Sequence, residues 1–110
     1  MSAAFPAGRL RHRLTLLNAV DALDDNGGVN RAWTSGSRVW ASIEAVTAGR
    51  QFNAEREAQI VTHRILMRRR GDLNGAMRLL EGERLFRILA IEDADAARNY
   101  QRVLCEEIKP

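Results

Sequence analysis

Apolar and polar residues alternate along much of this chain with the two-residue period of a β-strand, in short runs broken by turn residues. In "HRLTLLNAV", from His12, Leu14 and Leu16 share one face and Arg13 and Thr15 the other. "DALDDNGGVN" is dense in turn formers, and Asn26-Gly27 can supply the positive φ angles of a tight hairpin. "RAWT" reads as a short return strand, and Ser35-Gly36-Ser37 as another break. "RVWASIEAV" places Val39, Ala41, Ile43 and Ala45 on one face and Arg38, Trp40, Ser42 and Glu44 on the other.

The character then changes. Residues 47–59, "TAGRQFNAEREAQ", have no β-branched run and are rich in Ala, Glu, Arg and Gln. This composition predicts a long loop, with a helical turn or short helix after Gly49. Its apolar content, mainly Phe52 and Ala54, is too thin for a core face, so it reads as an excursion of the kind that often carries function.

"VTHRILMRRRGDL" returns as a strand with Val61, His63, Ile65 and Met67 on one side. Thr62, Arg64, Arg68 and Arg70 fall on the other, and Leu66 alone breaks the alternation. After the turn "GDLNG", "AMRLLEGERLFRILAIED" predicts two strands around Glu81-Gly82-Glu83, with Phe86, Ile88 and Ala90 alternating with Arg87 and Leu89. In "DADAARNYQRVLCEEI" the first half favours helix by composition, and the second half fits a final strand. Short strands separated by turns every ~10 residues predict an all-β barrel or sandwich. Closure of the sheet would hide its edges.

A length of 110 residues predicts a single domain with a modest core. Residues 1–9, with Pro6 and Gly8, read as a flexible arm. The 45% hydrophobic and 28% charged content is that of an ordinary globular protein. No apolar run is long enough to cross a membrane, and "MSAAFPAGRL" lacks the pattern of a secretion signal. Cys105 is the sole cysteine and sits among Val103, Leu104 and Ile108, so it predicts a small buried hydrophobe in a reducing cytoplasm. The formal net charge of +3 is carried almost wholly by arginine, Lys109 being the only lysine. Arginine suits bidentate pairing with carboxylate or phosphate, but so small a net charge is a weak signal for free nucleic-acid binding.

The sequence offers no catalytic motif. It has no Gly-rich phosphate loop, no paired-cysteine metal site and no cofactor signature. His12 and His63 both sit within strand patterns, and His63 on the apolar face predicts a hydrogen-bonded core or interface residue. Ser35 and Ser37 have no base nearby in sequence. Glu92, Asp93 and Asp95 read as a solvated acidic turn, and no metal site is predicted.

In their order, these elements resemble those of the phage head–tail joining proteins. That family, also called head closure, head completion or stopper proteins, occurs in long-tailed phages, prophages and gene transfer agents. The likeness covers residues 8–107. "GRLRHRLTL" resembles the family's Gly-x-Leu-Arg-His-Arg opening, and "DDNGGVNRAW" its Asp-x-x-Gly-Gly followed by Trp. "VWASIEAVTAGRQFNAEREAQIVTHRILMRRRGDL" resembles a Trp-Ala-x-Ile-x-Pro strand, a Gly-Arg-Glu excursion and a Thr-His-Arg-Ile strand with basic residues after it. "GERLFRILAIED" and "LCEE" resemble the last two strands. Val46 stands where relatives have Pro or Leu, Gln51 where Glu is common, and Leu66 where a polar residue is usual.

The resemblance implies a small closed or nearly closed β-barrel that assembles as a ring of about twelve copies. The ring would sit in the virion neck, between a portal–adaptor complex and a tail terminator or tail tube protein. It would close the exit channel on packaged double-stranded DNA. The excursion would face that channel through Arg50, Gln51, Phe52 and Arg56. The arginine face of the strand that returns from the excursion, Arg64, Arg68 and Arg70, would then meet either the acids of a neighbouring subunit, with Glu44, Glu81 and Glu83 as candidate partners, or the DNA channel. The plain alternative is a solvated strand face, and subunit contact is the preferred expectation. The competing expectation is a free-standing β-barrel that binds nucleic acid. Such barrels stack bases on exposed aromatics, whereas this chain has 5% aromatic residues and places Trp33 and Trp40 in strands expected to pack.

Overall fold

The computed structural model describes residues 7–53 and 58–108, with the backbone alone at residues 7, 47–53, 58 and 59. After a 3-10 turn at Ala7–Arg9 come β1 (His12–Leu23), β2 (Val29–Asn53), β3 (Ala58–Arg68), β4 (Arg78–Glu81), β5 (Arg84–Asp93) and β6 (Tyr100–Ile108). The strands pair antiparallel in the order β1-β2-β3-β6-β5-β4, and β4 pairs back onto β1 to close a barrel.

The alternation seen in the sequence fills the interior. Leu14 and Leu16 of β1, Val39 and Ala41 of β2, Ile65 and Met67 of β3, Leu79 of β4, Phe86 and Ile88 of β5, and Val103 and Cys105 of β6 form one buried cluster. Successive side chains of a strand point to opposite faces, so each strand contributes every second residue. The link from β3 to β4 must pass across one end of the barrel, because those strands are not neighbours. Leu73 and Met77 on this link join the core and cover that end.

Three irregularities shape the barrel, and each falls where the simple pattern fails. Thr15 pairs with Arg38 but Leu17 with Ser35, so β2 carries one extra residue opposite Leu16. The expected break at Ser35-Gly36-Ser37 is therefore a bulge inside a continuous strand. A Cβ on Gly36 would lie 2.8 Å from Asn18 Nδ2 and 3.2 Å from the Leu16 carbonyl oxygen, which is why glycine suits the bulge. In β5, Ile88 pairs with Cys105 and Ala90 with Leu104, which inserts Leu89 as the extra residue. Alternation shifts there, and Ile91 rather than Ala90 packs against the core. The largest shift lies between Ala45 and Arg50.

Beyond that shift the structure corrects the expectation of a loop or short helix at residues 47–59. Strand β2 runs on to Asn53, and pairing continues from Arg50 opposite Val61 to Asn53 opposite Ala58. Residues 54–57 lie outside the described residues. Few apolar residues are needed there, because a two-stranded ribbon has no core face to fill. Cross-strand pairing overrides the helical composition, as tertiary context commonly does. The helical reading of the segment after Asp93 also gives way. Residues 94–99 form turns in which Asp95 Oδ1 accepts from the backbone N–H groups of Asn99 at 2.9 Å and Tyr100 at 3.1 Å.

A second ribbon lies at the opposite end. Past Leu17, β1 pairs only with β2, from Asn18 opposite Thr34 to Leu23 opposite Val29. Its connection is a five-residue loop, residues 24–28, in which only Gly27 takes a positive φ, at 82°. Asp24 Oδ1 holds the loop by accepting from the N–H groups of Asn26 at 2.9 Å and Gly28 at 2.7 Å. Strand β2 thus enters the barrel from one ribbon and leaves it into the other. The molecule measures 58 × 31 × 25 Å, with a radius of gyration of 15.3 Å. A compact chain of this length would have about 13 Å.

Candidate functional site

Both histidines and the cysteine gather near the barrel end that carries the β4–β5 turn. Glu81 Oε2 lies 2.5 Å from His12 Nδ1. Arg84 reaches Glu107 at 3.0 Å through Nε and Glu81 at 3.8 Å through Nη1. It also places Nη2 3.2 Å from His63 Nε2, and its guanidinium lies 5.1 Å from the Phe86 ring centre. Arginine only donates, so His63 Nε2 is the acceptor and the ring proton sits on Nδ1. Nδ1–H then donates to Thr62 Oγ1 at 2.9 Å, and the same oxygen accepts from the Glu107 backbone N–H at 2.7 Å.

This pairing keeps His63 neutral. Burial lowers its pKa from 6.5, Glu107 opposes that, and Arg84 adds to it. The ring meets Phe86 edge-on at 5.2 Å. Burial pushes the Cys105 thiol up to about 12, and the thiol donates to the His63 carbonyl oxygen at 3.5 Å. A thiol held protonated is a poor nucleophile. The cluster ties β1, β3, β4, β5 and β6 together, and its polar atoms are engaged with each other.

The residues expected at subunit contacts lie on the outer surface in two places. Arg64 Nη2 donates to Glu44 Oε1 of its own chain at 2.5 Å. Beside this pair, Arg102 reaches Glu92 at 3.1 Å, and Arg9, Ser42 and Leu66 complete a shallow groove. Glu81 is likewise engaged within the chain, by His12 and Arg84. Arg68 and Arg70 sit apart, at the end of β3. Arg70 forks onto Asp72 with two bonds of 3.0 Å, which raises its pKa and lowers that of the carboxyl. The guanidinium of Arg68 lies 5.7 Å from the Tyr100 ring centre. Of the four residues expected at the channel, Arg50, Gln51 and Phe52 fall in β2 opposite Val61, Ile60 and Gln59. Arg56 lies outside the described residues.

Two features escaped the sequence reading. Trp40 was expected to pack but is 52% exposed, with the Arg13 guanidinium 5.2 Å from its ring centre. Trp33 is half-buried, with Arg78 4.3 Å from its ring centre. Arg13 pairs with Trp40, Ala41 with Met67, and Arg68 with Tyr100. One row across four strands therefore reads arginine, tryptophan, arginine, tyrosine. Arg38, Arg69 and Arg70 border it around a shallow groove. The signal in the sequence is the place of Trp40 on the polar face of its strand, alternating with the core residues Val39 and Ala41. The other feature is the β1–β2 ribbon, where Leu23 and Val29 are 79% and 65% exposed.

The model of the family described as phage head completion protein matches residues 5–108. The chain is 29% identical to the head completion protein gp7 of Enterobacteria phage HK97 over 104 residues, spanning 90% of this chain and 93% of that protein. It is similar to a chain in the virion of a native gene transfer agent particle, with a TM-score of 0.69 and 29% identity, covering 91% of this chain and 96% of that one. Protein SF1141 of Shigella flexneri 2a, solved in solution, matches with a TM-score of 0.68 and 29% identity over 94% and 96% of the two chains. With nearly its whole length inside the family match, this chain belongs to the phage head completion proteins, structural components of the head–tail region of phage-type particles.

Proposed function

We propose that the chain forms a ring in the neck of such a particle, between the portal or adaptor complex and the tail. The ring closes the DNA exit channel after packaging and gives the tail its docking surface. The supporting observation is β2, a 25-residue strand that passes through the barrel and carries a ribbon at each end. A barrel that extends in two directions suits a part that must join two other assemblies. The β2–β3 end, with Arg50, Gln51, Phe52 and Arg56, serves the channel, and the outer arginines serve contacts between copies. Repetition around a ring multiplies each charge, so a small net charge per copy still builds a strong field.

Deleting the gene tests this reading. Packaging proceeds, because it precedes neck completion, but the particles are heads without tails that lose or fail to retain DNA. Normal tailed, DNA-filled particles from the deletion would overturn it. Within this reading, R50A/R56A lowers DNA retention more than it lowers ring formation. Normal retention in that variant removes only the channel role of the two arginines.

A further inference from the structure

We infer that the tip of the β1–β2 ribbon of one copy docks onto the arginine–tryptophan face of the next copy. Residues 19–30 of the ribbon hold Asp21, Asp24 and Asp25 and no basic residue. Asp21 is matched by Arg31 at 3.1 Å, and Asp24 is used within the loop. Asp25 has no ion pair among the described residues. Val20, Leu23 and Val29 are exposed beside these acids. A two-stranded ribbon is marginal in water by itself, and apolar side chains on it gain from being covered.

The receiving face has the opposite character. Arg13, Arg38, Arg68, Arg69 and Arg70 surround Trp40. Only Arg69 and Arg70 have carboxylate partners among the described residues, Asp93 at 3.9 Å and Asp72 at 3.0 Å. Trp40 offers an apolar floor for Leu23 or Val29, and Arg38 and Arg68 offer charge for Asp25. The six β1 residues beyond Leu17 span about 20 Å, so the ribbon reaches past its own barrel toward a neighbour. Two different patches meeting head to tail propagate around a closed ring, whereas one patch meeting itself stops at a dimer. The inference rests on the ring proposed above and names the surfaces that would build it.

The test uses the full chain carrying D25C and R38C, supplied to particle-producing cells that lack the natural copy. Cys105 is fully buried and does not compete for oxidation. Oxidised tailed particles should yield a ladder of covalent multimers, and D25C or R38C alone should yield none. A monomer band from tailed particles that contain the variant overturns the docking and leaves the ring standing. A link from Asp25→Cys to itself or to another particle protein overturns the docking too. Should the cysteine pair stay out of particles, charge exchange decides. D25R and R38D should each lower the yield of tailed particles about tenfold, and together restore most of it. Failure of the pair to restore the yield overturns the docking. Failure of the ring itself is read separately, from tailed particles that form without this protein.

Discussion

His63 is held by a donor on one side and an acceptor on the other, and this arrangement sets a pH dependence. A proton added at Nε2 would face the Arg84 guanidinium at 3.2 Å. Burial above all, with Arg84 adding to it against the opposing pull of Glu107, holds the folded pKa below the unfolded value of 6.5. A group of this kind leaves stability intact above 6.5, because it is neutral in both states there. As pH falls below 6.5 the unfolded chain takes up the proton first, and stability declines until the lowered folded pKa is passed. Thermal melts should thus show a lower midpoint at pH 5.5 than at pH 7.5, and His63→Gln should reduce that difference. An unchanged difference in the variant would assign the effect to other groups. At this scale the sequence told which face His63 and Cys105 take, because strand alternation is local. It did not tell their partners, because Arg84 and Glu107 come from strands brought alongside only by barrel closure.

Among the elements, the alternating strands were legible: the start of β1, the middle of β2, β3 from Val61 onward, and β4 through β6, with Leu89 interrupting the alternation of β5. The failures share a cause. Ser35-Gly36-Ser37, residues 47–53 and residues 94–99 have local composition that favours a break or a helix. Each meets a distant partner that its composition does not show: Leu16 for the first, β3 for the second and, for the third, the end of β3, where the Arg69 N–H donates to the Asn99 carbonyl oxygen at 3.0 Å. The β4–β5 turn is different, since its chemistry is local. Gly82 takes a φ of 58° as the first central residue of a two-residue hairpin, and a Cβ there would meet nothing within 4 Å. Gly82→Ala should therefore act through backbone strain alone. A loss of about 1–2 kcal/mol in urea unfolding is expected, with the slope unchanged. A changed slope would mean that the turn does more than join two strands.

For the whole molecule, an all-β barrel was one of two architectures open from the pattern, and the resemblance favoured it. The strand order was not legible, because nothing local says that β6 rather than β4 lies beside β3. Nor was the length of the molecule, since the β1–β2 ribbon shows the same alternation as a barrel strand and differs only in being uncovered. The consequence for assembly concerns surface. If the ribbon and the charged face proposed above are the contacts between copies, they offer little apolar surface, and such contacts are expected to need a template to hold a ring. Sedimentation at micromolar concentration should show mainly monomer, and a stable ring of the purified chain would contradict this.

Strand β2 also gives the molecule a mechanical grain. It is one unbroken length of backbone from Val29 to Asn53, flanked in the barrel by β1 on one side and β3 on the other. Antiparallel hydrogen bonds run perpendicular to their strands. Tension applied between the two ribbons would load those bonds side by side in shear, not peel them apart one after another. A pull at either end is thus resisted by both ladders together, along a path that crosses no loop.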